Sequence, residues 1–205
     1  MAGHMERVSR LTGEFIDRGQ ESSYRRGQRL AEYAQIRLIW LLALLFFSAY
    51  GAVDVLLLSR GLDLFGLRLL ILFCGGCAIV LGSQCKTHQS RDLVNFLALL
   101  LVSVCYVWLL QRRDMPGNPQ GAMLLLVIGI YMFSPGRFLL VCANALFCSI
   151  LFWWYVGAEM GRLGGWVSHS YLVPANVLAM LALSRLNQAR RQVFLSHIRL
   201  AREVR

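Results

Sequence analysis

Apolar residues in this chain gather into long runs instead of stripes, and each run is closed by a short polar connector. Six runs stand out: Ile36–Leu58, Leu64–Ser83, Leu93–Gln111, Ala122–Ser134, Phe138–Gly157 and Tyr171–Leu186. A helix rises about 1.5 Å per residue, so roughly 20 apolar residues cover a hydrocarbon core of about 30 Å. The first run meets that length on its own, and the fourth is the shortest. In lipid every backbone N–H and C=O must be paired internally, which leaves helices or a closed barrel. The runs lack the period-2 alternation of barrel strands. The pattern therefore predicts an all-α fold, an integral membrane bundle of six transmembrane helices over 36–186. It is flanked by a cytoplasmic N-terminal segment (5–35) and a cytoplasmic helix (187–205).

Composition narrows the class further. Hydrophobic residues make up 57% of the chain, charged residues only 16%, and mean hydropathy is +0.54, whereas soluble domains are about 25% charged. About 35 mostly polar residues precede the first run, which does not fit a cleavable signal sequence. Met1-Ala2-Gly3-His4 reads as a cloning remnant, with Met5 as the natural start.

Orientation follows from the basic residues, which are retained on the cytoplasmic side. With six spans and an inner N-terminus, 16 of the 21 Lys and Arg residues fall inside, and only Arg60, Arg68, Arg112, Arg113 and Arg162 fall outside. Removing the short fourth span would carry Arg185, Arg190 and Arg191 outward. Both termini are thus expected in the cytoplasm of a bacterial inner-membrane, multi-pass protein. The net charge of +10 expresses this bias and an attraction to anionic membrane lipids, and no nucleic-acid motif accompanies it.

The two ends differ in character. Leu11 to Gln35 carries Phe15, Ile16, Tyr24, Leu30 and Tyr33 at sparse helical spacing. Two readings are open: a helix lying along the inner headgroups, or a partly disordered tail containing Gly13, Gly19 and Gly27. From Arg185 no helix breaker intervenes, so the sixth run is expected to continue as a cytoplasmic helix. Leu186, Val193 and Leu200 recur every seven residues there, widened by Ala189, Phe194, Ile198, Ala201 and Val204. Such a stripe packs against a second copy, giving a homodimer, or against cytoplasmic neighbours. The pattern is still running at Arg205, and an output domain is expected to follow it.

These features carry a resemblance. Phe15, Asp17, Glu21, Tyr24 and Arg25 form a Phe-x-Asp-x-x-x-Glu-x-x-Tyr-Arg segment, followed by Arg37 entering the first run, Asp54 near its end, and an exit helix with Arg190, Arg191 and Phe194. This order resembles the six-span sensor modules that precede GGDEF diguanylate cyclase domains, and similar modules precede bacterial membrane adenylate cyclases. The resemblance implies a sensor that sets the pairing of dimeric output domains. The GGDEF motif itself is not in this chain, so catalysis would belong to a further domain. Phe194-Leu195-Ser196-His197-Ile198-Arg199 is faintly similar to the phosphoacceptor segment of histidine kinases, without the Glu and Thr-Pro of that pattern. A small transporter or channel is the alternative from a different class.

Polar groups inside the runs are the natural ligand candidates, since each is costly in lipid unless paired or solvated. Asp54 and Arg68 fall toward the outer leaflet on successive helices, where they form either a structural pair or a switch. Asn95, Asn144 and Asn176 suit interhelical hydrogen bonds. Pro174 offers a kink or hinge in the sixth run. Trp153, Trp154 and other outer aromatics form an interfacial belt, or, with Asp54, Arg68, His169 and Asn176, line a pocket for a lipophilic or periplasmic small molecule. Cys74-Gly75-Gly76-Cys77 is formally a C-x-x-C, yet it sits mid-run without a second pair, and the six cysteines suit small buried positions better than a metal. No cofactor is expected.

Overall fold

The computed structural model describes residues 8–57, 61–112, 119–134 and 136–203. Among these the chain is all-helical, with a single isolated β-bridge between Val8 and Phe15. Five helices follow in order: α1 (Arg18–Leu57), α2 (Gly61–Gln84), α3 (His88–Arg112), α4 (Pro119–Phe133) and α5 (Phe138–Glu203). Four of them hold stretches long and apolar enough to cross a membrane, within Arg18–Ala49, Phe65–Gln84, His88–Leu110 and Phe138–Tyr155; α4 contributes the shorter apolar stretch Met123–Met132.

Local signals set the helix starts. The Asp17 carboxylate accepts the Gly19 N–H at 2.9 Å, a side-chain N-cap for α1. Thr87 Oγ1 accepts the Ser90 N–H at 3.2 Å and caps α3. Pro119 opens α4, where its missing N–H would have had no helical partner. The Phe138 N–H that opens α5 is taken by Glu14 Oε1 at 3.0 Å, from a residue 124 positions earlier.

Of the two readings of Leu11 to Gln35, the structure has the helical one from Arg18 onward. α1 runs without interruption from Arg18 into the first apolar run, about 60 Å in all, and carries the glycines at 19 and 27 within it.

α5 joins the fifth and sixth runs into one helical stretch of 66 residues. A straight helix would separate residues 149 and 176 by about 40 Å. Yet Asn176 Nδ2 donates to Ser149 Oγ at 2.9 Å. At the other end, Glu14 holds Phe138 while the neighbouring Thr12 carbonyl holds Asn187. The stretch therefore doubles back between Tyr155 and Ser170 into two antiparallel arms. The fifth and sixth apolar runs are separate in the sequence, ending at Gly157 and beginning again at Tyr171, yet helical backbone continues between them.

Two apolar clusters fill the bundle. Val107, Met123, Val127, Tyr131, Ala145 and Phe152 belong to the larger, built by α3, α4 and both arms of α5. Ile36, Trp40, Ile71, Cys74, Val102 and Cys105 belong to the smaller, built by α1, α2 and α3. Cys74, Cys105, Cys142 and Cys148 are buried in these clusters as free thiols.

Candidate functional site

At one end of the bundle the N-terminal segment folds over the exit of α5. A tight loop, with Ser9 N–H donating to the Glu14 carbonyl at 2.8 Å and Gly13 N–H to the Ser9 carbonyl at 2.9 Å, brings Gly13 against α5. Gly13 has φ +68, and a Cβ there would lie 2.5 Å from the Ser184 carbonyl oxygen. Both conformation and close approach demand glycine. Beside it, Ser184 and Gln188 donate to the Arg10 carbonyl at 3.3 and 3.0 Å, and Asn187 donates to the Thr12 carbonyl at 3.3 Å. The two terminal segments thus meet at the same end of the bundle.

A buried ionic clasp sits directly inside this cover. Arg191 grips Glu21 side-on, Nη2 to Oε1 at 2.7 Å and Nε to Oε2 at 3.0 Å. Arg25 reaches three acids at once: Glu21 at 2.8 Å, Glu14 at 3.1 Å and Asp92 at 3.2 Å. The Arg25 and Arg191 side chains are only 7% and 4% exposed. Such charges stay buried only when paired and hydrogen-bonded, and the bidentate geometry supplies both. The Arg191 guanidinium also stacks over Tyr24 at 4.8 Å and Phe15 at 5.9 Å, and Tyr24 meets Phe194 edge-on at 5.2 Å. Burial pushes the Glu21 carboxyl up, but the hydrogen bonds from Arg191 and the Phe15 amide, with the Arg191 charge, outweigh it and hold the group below its ordinary value.

The clasp links the N-terminal segment, α1, the start of α3, the α4–α5 junction and the exit helix. Gly136, with φ +151, leaves that junction close to Asp92. Beside the clasp a small polar cavity is lined by Tyr24, Arg25, Glu32, Asn187 and Arg191. Burial holds the Glu32 carboxyl above its ordinary value there, against the pull of Arg25. Arg91, over the Tyr33 ring at 5.5 Å, donates to the carbonyls of Gly82, Arg29 and Cys85, satisfying the free carbonyl end of α2.

Deeper in the bundle, polar side chains bond across helices. Trp40 Nε1 donates to Asn95 Oδ1 at 3.1 Å, and Asn95 Nδ2 to Ser134 Oγ at 3.2 Å, connecting α1, α3 and the end of α4. Tyr131 donates to Asn176 Oδ1 at 3.1 Å, while Asn176 Nδ2 serves both Ser149 and the Leu172 carbonyl. Asn144 is buried too, and its Oδ1 has no hydrogen-bond partner among the described residues.

The ligand candidates from the sequence are distributed as follows. Arg68 is buried, with its Cδ against the backbone of Gly51 on α1. The side chains of Asp54 and His169 lie outside the described residues. Trp153 and Trp154 are 43% and 68% exposed on the bundle surface, and Asn176 is engaged in the core network, so these three are not gathered around one cavity. On the exit helix, Leu186 and Phe194 are half-buried, Phe194 beneath Tyr24, while Val193 and Leu200 are 56% and 58% exposed. Pro174 lines a shallow apolar groove with Leu124, Ile128 and Leu178. Sequence reasoning treated Glu21, Arg25 and Arg191 as motif letters and passed over Glu14 and Asp92. The available signal was the presence of acids such as those at 14 and 21 in an Arg-rich N-terminal segment.

Comparison with protein-family models, curated proteins and solved structures returns no match.

Proposed function

We propose that this chain is the membrane-embedded receiving part of a signalling protein, and that its output leaves along the exit helix of α5. The clasp is the observation that carries this reading. A helix that merely ended a bundle would have no use for a buried arginine tied to a segment 170 residues away, whereas a helix that must adopt a defined angle does. Glu21 and Arg25 stand on the helix that leads into the first run, so movement of α1 in the membrane pulls directly on Arg191. In this reading the chain crosses the bacterial inner membrane six times. The meeting of both termini at one Arg-rich end supports an even number of crossings with both ends cytoplasmic. Val193 and Leu200 mark the face on which a second copy pairs, and the resemblance points to a dimeric cyclase domain downstream. Differential affinity of a ligand for two settings of α1 would supply the energy, since equal affinity shifts nothing.

Disulfide crosslinking in native membranes tests this. With the six native cysteines replaced, Val193→Cys and Leu200→Cys are expected to link copies of the chain, and Gln192→Cys is not. Glu21→Gln should change the ratio of the two productive crosslinks. Equal linking at all three positions, indifferent to Glu21→Gln, would overturn the reading.

A further inference from the structure

Between α1, α3 and α4 the bundle does not close. A cleft of about 210 Å³ runs between Ile36, Trp40 and Phe47 on one wall, Leu99 and Val102 on the second, and Leu126 and Gly129 on the third. From Ile36 to Phe47 the wall rises about 16 Å, so the space runs lengthwise along α1, a slot that an extended acyl chain can follow. Its walls are apolar along their length, and only its end nearest the clasp is polar, at Asn95 and Ser134.

That polar end retains hydrogen-bonding capacity. Asn95 is 8% exposed and uses Oδ1 for Trp40 and one N–H for Ser134. Its second amide N–H, and the Ser134 hydroxyl proton, are given to no protein group among the described residues. Both are donors, so they call for an acceptor. Asn95 stands one turn inside Asp92 on α3, at the depth where a small head would meet the interface, on the Arg-rich side of the bundle.

We propose that this slot binds a single long-chain fatty acid from the inner leaflet, its chain along Trp40, Ala43 and Phe47 and its carboxyl oxygen accepting from Ser134 and Asn95. A phosphoglyceride chain would share the apolar walls but bring a head with more acceptors than the donors of buried Asn95 and half-buried Ser134 can serve. The inference rests on the sensor reading only in giving that sensor a ligand; binding itself is read directly, and fails or holds apart from any crosslinking between exit helices.

Gly129 provides a variant that keeps the fold. A Cβ there meets nothing within 4 Å, so Gly129→Leu fills open space and leaves the packed clusters alone. The chain in phosphatidylcholine nanodiscs is photolysed with a diazirine-bearing palmitic acid, and labelled peptides are mapped. Labelling is expected within 36–47, 95–102 or 125–134, saturable and competed by palmitate but not by excess lysophosphatidylcholine. Gly129→Leu should lower apparent affinity about tenfold or more by occlusion, and Ser134→Ala about fivefold by loss of one hydrogen bond. Labelling spread evenly over lipid-facing helices, or unchanged by both substitutions, would overturn the site. Equal competition by lysophosphatidylcholine would reduce it to an acyl groove for bulk lipid and overturn the assignment of the carboxyl end.

Discussion

α1 and the first arm of α5 are both long apolar helices, yet they hold their places by different means. In the bundle, 39% of the apolar stretch Phe138–Tyr155 is buried, against 11% for that of α1. The arm of α5 is wedged among α3, α4 and its own returning arm, where Val141, Ala145, Cys148 and Phe152 interlock with Met123, Val127 and Leu183. α1 presents Leu38, Leu41, Leu45 and Phe46 outward. In water such exposure would be prohibitive, but lipid is as apolar as leucine and leaves no hydrophobic penalty. α1 is therefore held on one side, by its packing on α2 and α3 through Ile36, Trp40 and the close approach of Gly75, with the ionic clasp and the Trp40–Asn95 bond added. A helix held on one side can be re-set by a change at one of these contacts, while an arm packed on several sides acts as the frame against which it moves.

The sharpest way to break this contrast is to remove the point with most at stake. Glu21→Ala leaves the buried Arg191 without its carboxylate and takes one of three acids from Arg25, and removing one partner of a buried pair typically costs about 3–5 kcal/mol. Thermal unfolding in detergent should fall accordingly, whereas Leu45→Ala, on the outward face of α1, should change it little. The clasp also has a pH signature. Glu21 is held below its ordinary 4.5, so its contribution is complete above that value and is lost as pH falls through the lower folded-state value. Glu32 has the opposite sign: its raised value means the fold gains as that group protonates on acidification from neutral pH. Stability measured from pH 7 downward should therefore first rise slightly and then drop, and Glu21→Gln should remove the drop.

The second comparison is between neighbouring glycines. A Cβ at Gly75 would sit 2.9 Å from Trp40 Cε3 and 3.2 Å from Leu44 Cδ2, but one at Gly76 meets nothing within 4 Å. Gly75→Val is expected to cost about 1–3 kcal/mol and to push α1 away from α2, visible as a longer spin-label distance between the helices. Gly76→Val should leave both quantities near their starting values. An equal response at the two positions would mean that α1 is not located by this contact.

Hydrogen bonds inside the bundle set the smallest step. Asn176→Ala breaks a three-helix network in the packed half and should cost about 1–2 kcal/mol. Trp40→Phe removes one interhelical bond from the α1 side, worth about 0.6 kcal/mol on average in membranes. The ranking can be read from unfolding by denaturing detergent, and its reversal would mean that α1 depends on the Trp40 bond more than on its packing against α2.

Several of these features are legible along the chain. Apolar runs long enough to span lipid announce helices because an unpaired backbone cannot exist there; the runs at 64, 93, 122 and 138 each begin within about five residues of an apolar helical stretch in the structure, while the run at 36 lies inside one that already starts at Arg18. The unbroken exit helix follows from the absence of Pro and Gly after Arg185. Asn176 and Asn95 were expected to bond across helices, and both do. The clasp was not legible in this way. Its bonds to Asp92 and to Arg191 join residues 67 and 170 apart, and a charged residue in a polar segment reads as a solvated one until something covers it. Trp153 and Trp154 show the converse: they are neighbours in sequence, but successive helical residues point in different directions, and both lie on the surface of the bundle.

By itself, the sequence determined the all-helical character, the apolar stretches and the concentration of positive charge at particular connectors, because these depend on local composition and the solvent each residue can tolerate. Only the tertiary structure decided that helical backbone continues through the turn between the fifth and sixth runs, that Gly13 lets the N-terminal loop rest on α5, that Arg25 and Arg191 are buried in company, and that a slot remains between α1, α3 and α4. Those outcomes depend on which surfaces meet, and in a membrane, where any apolar face is content against lipid, small residues and polar pairs choose the meeting.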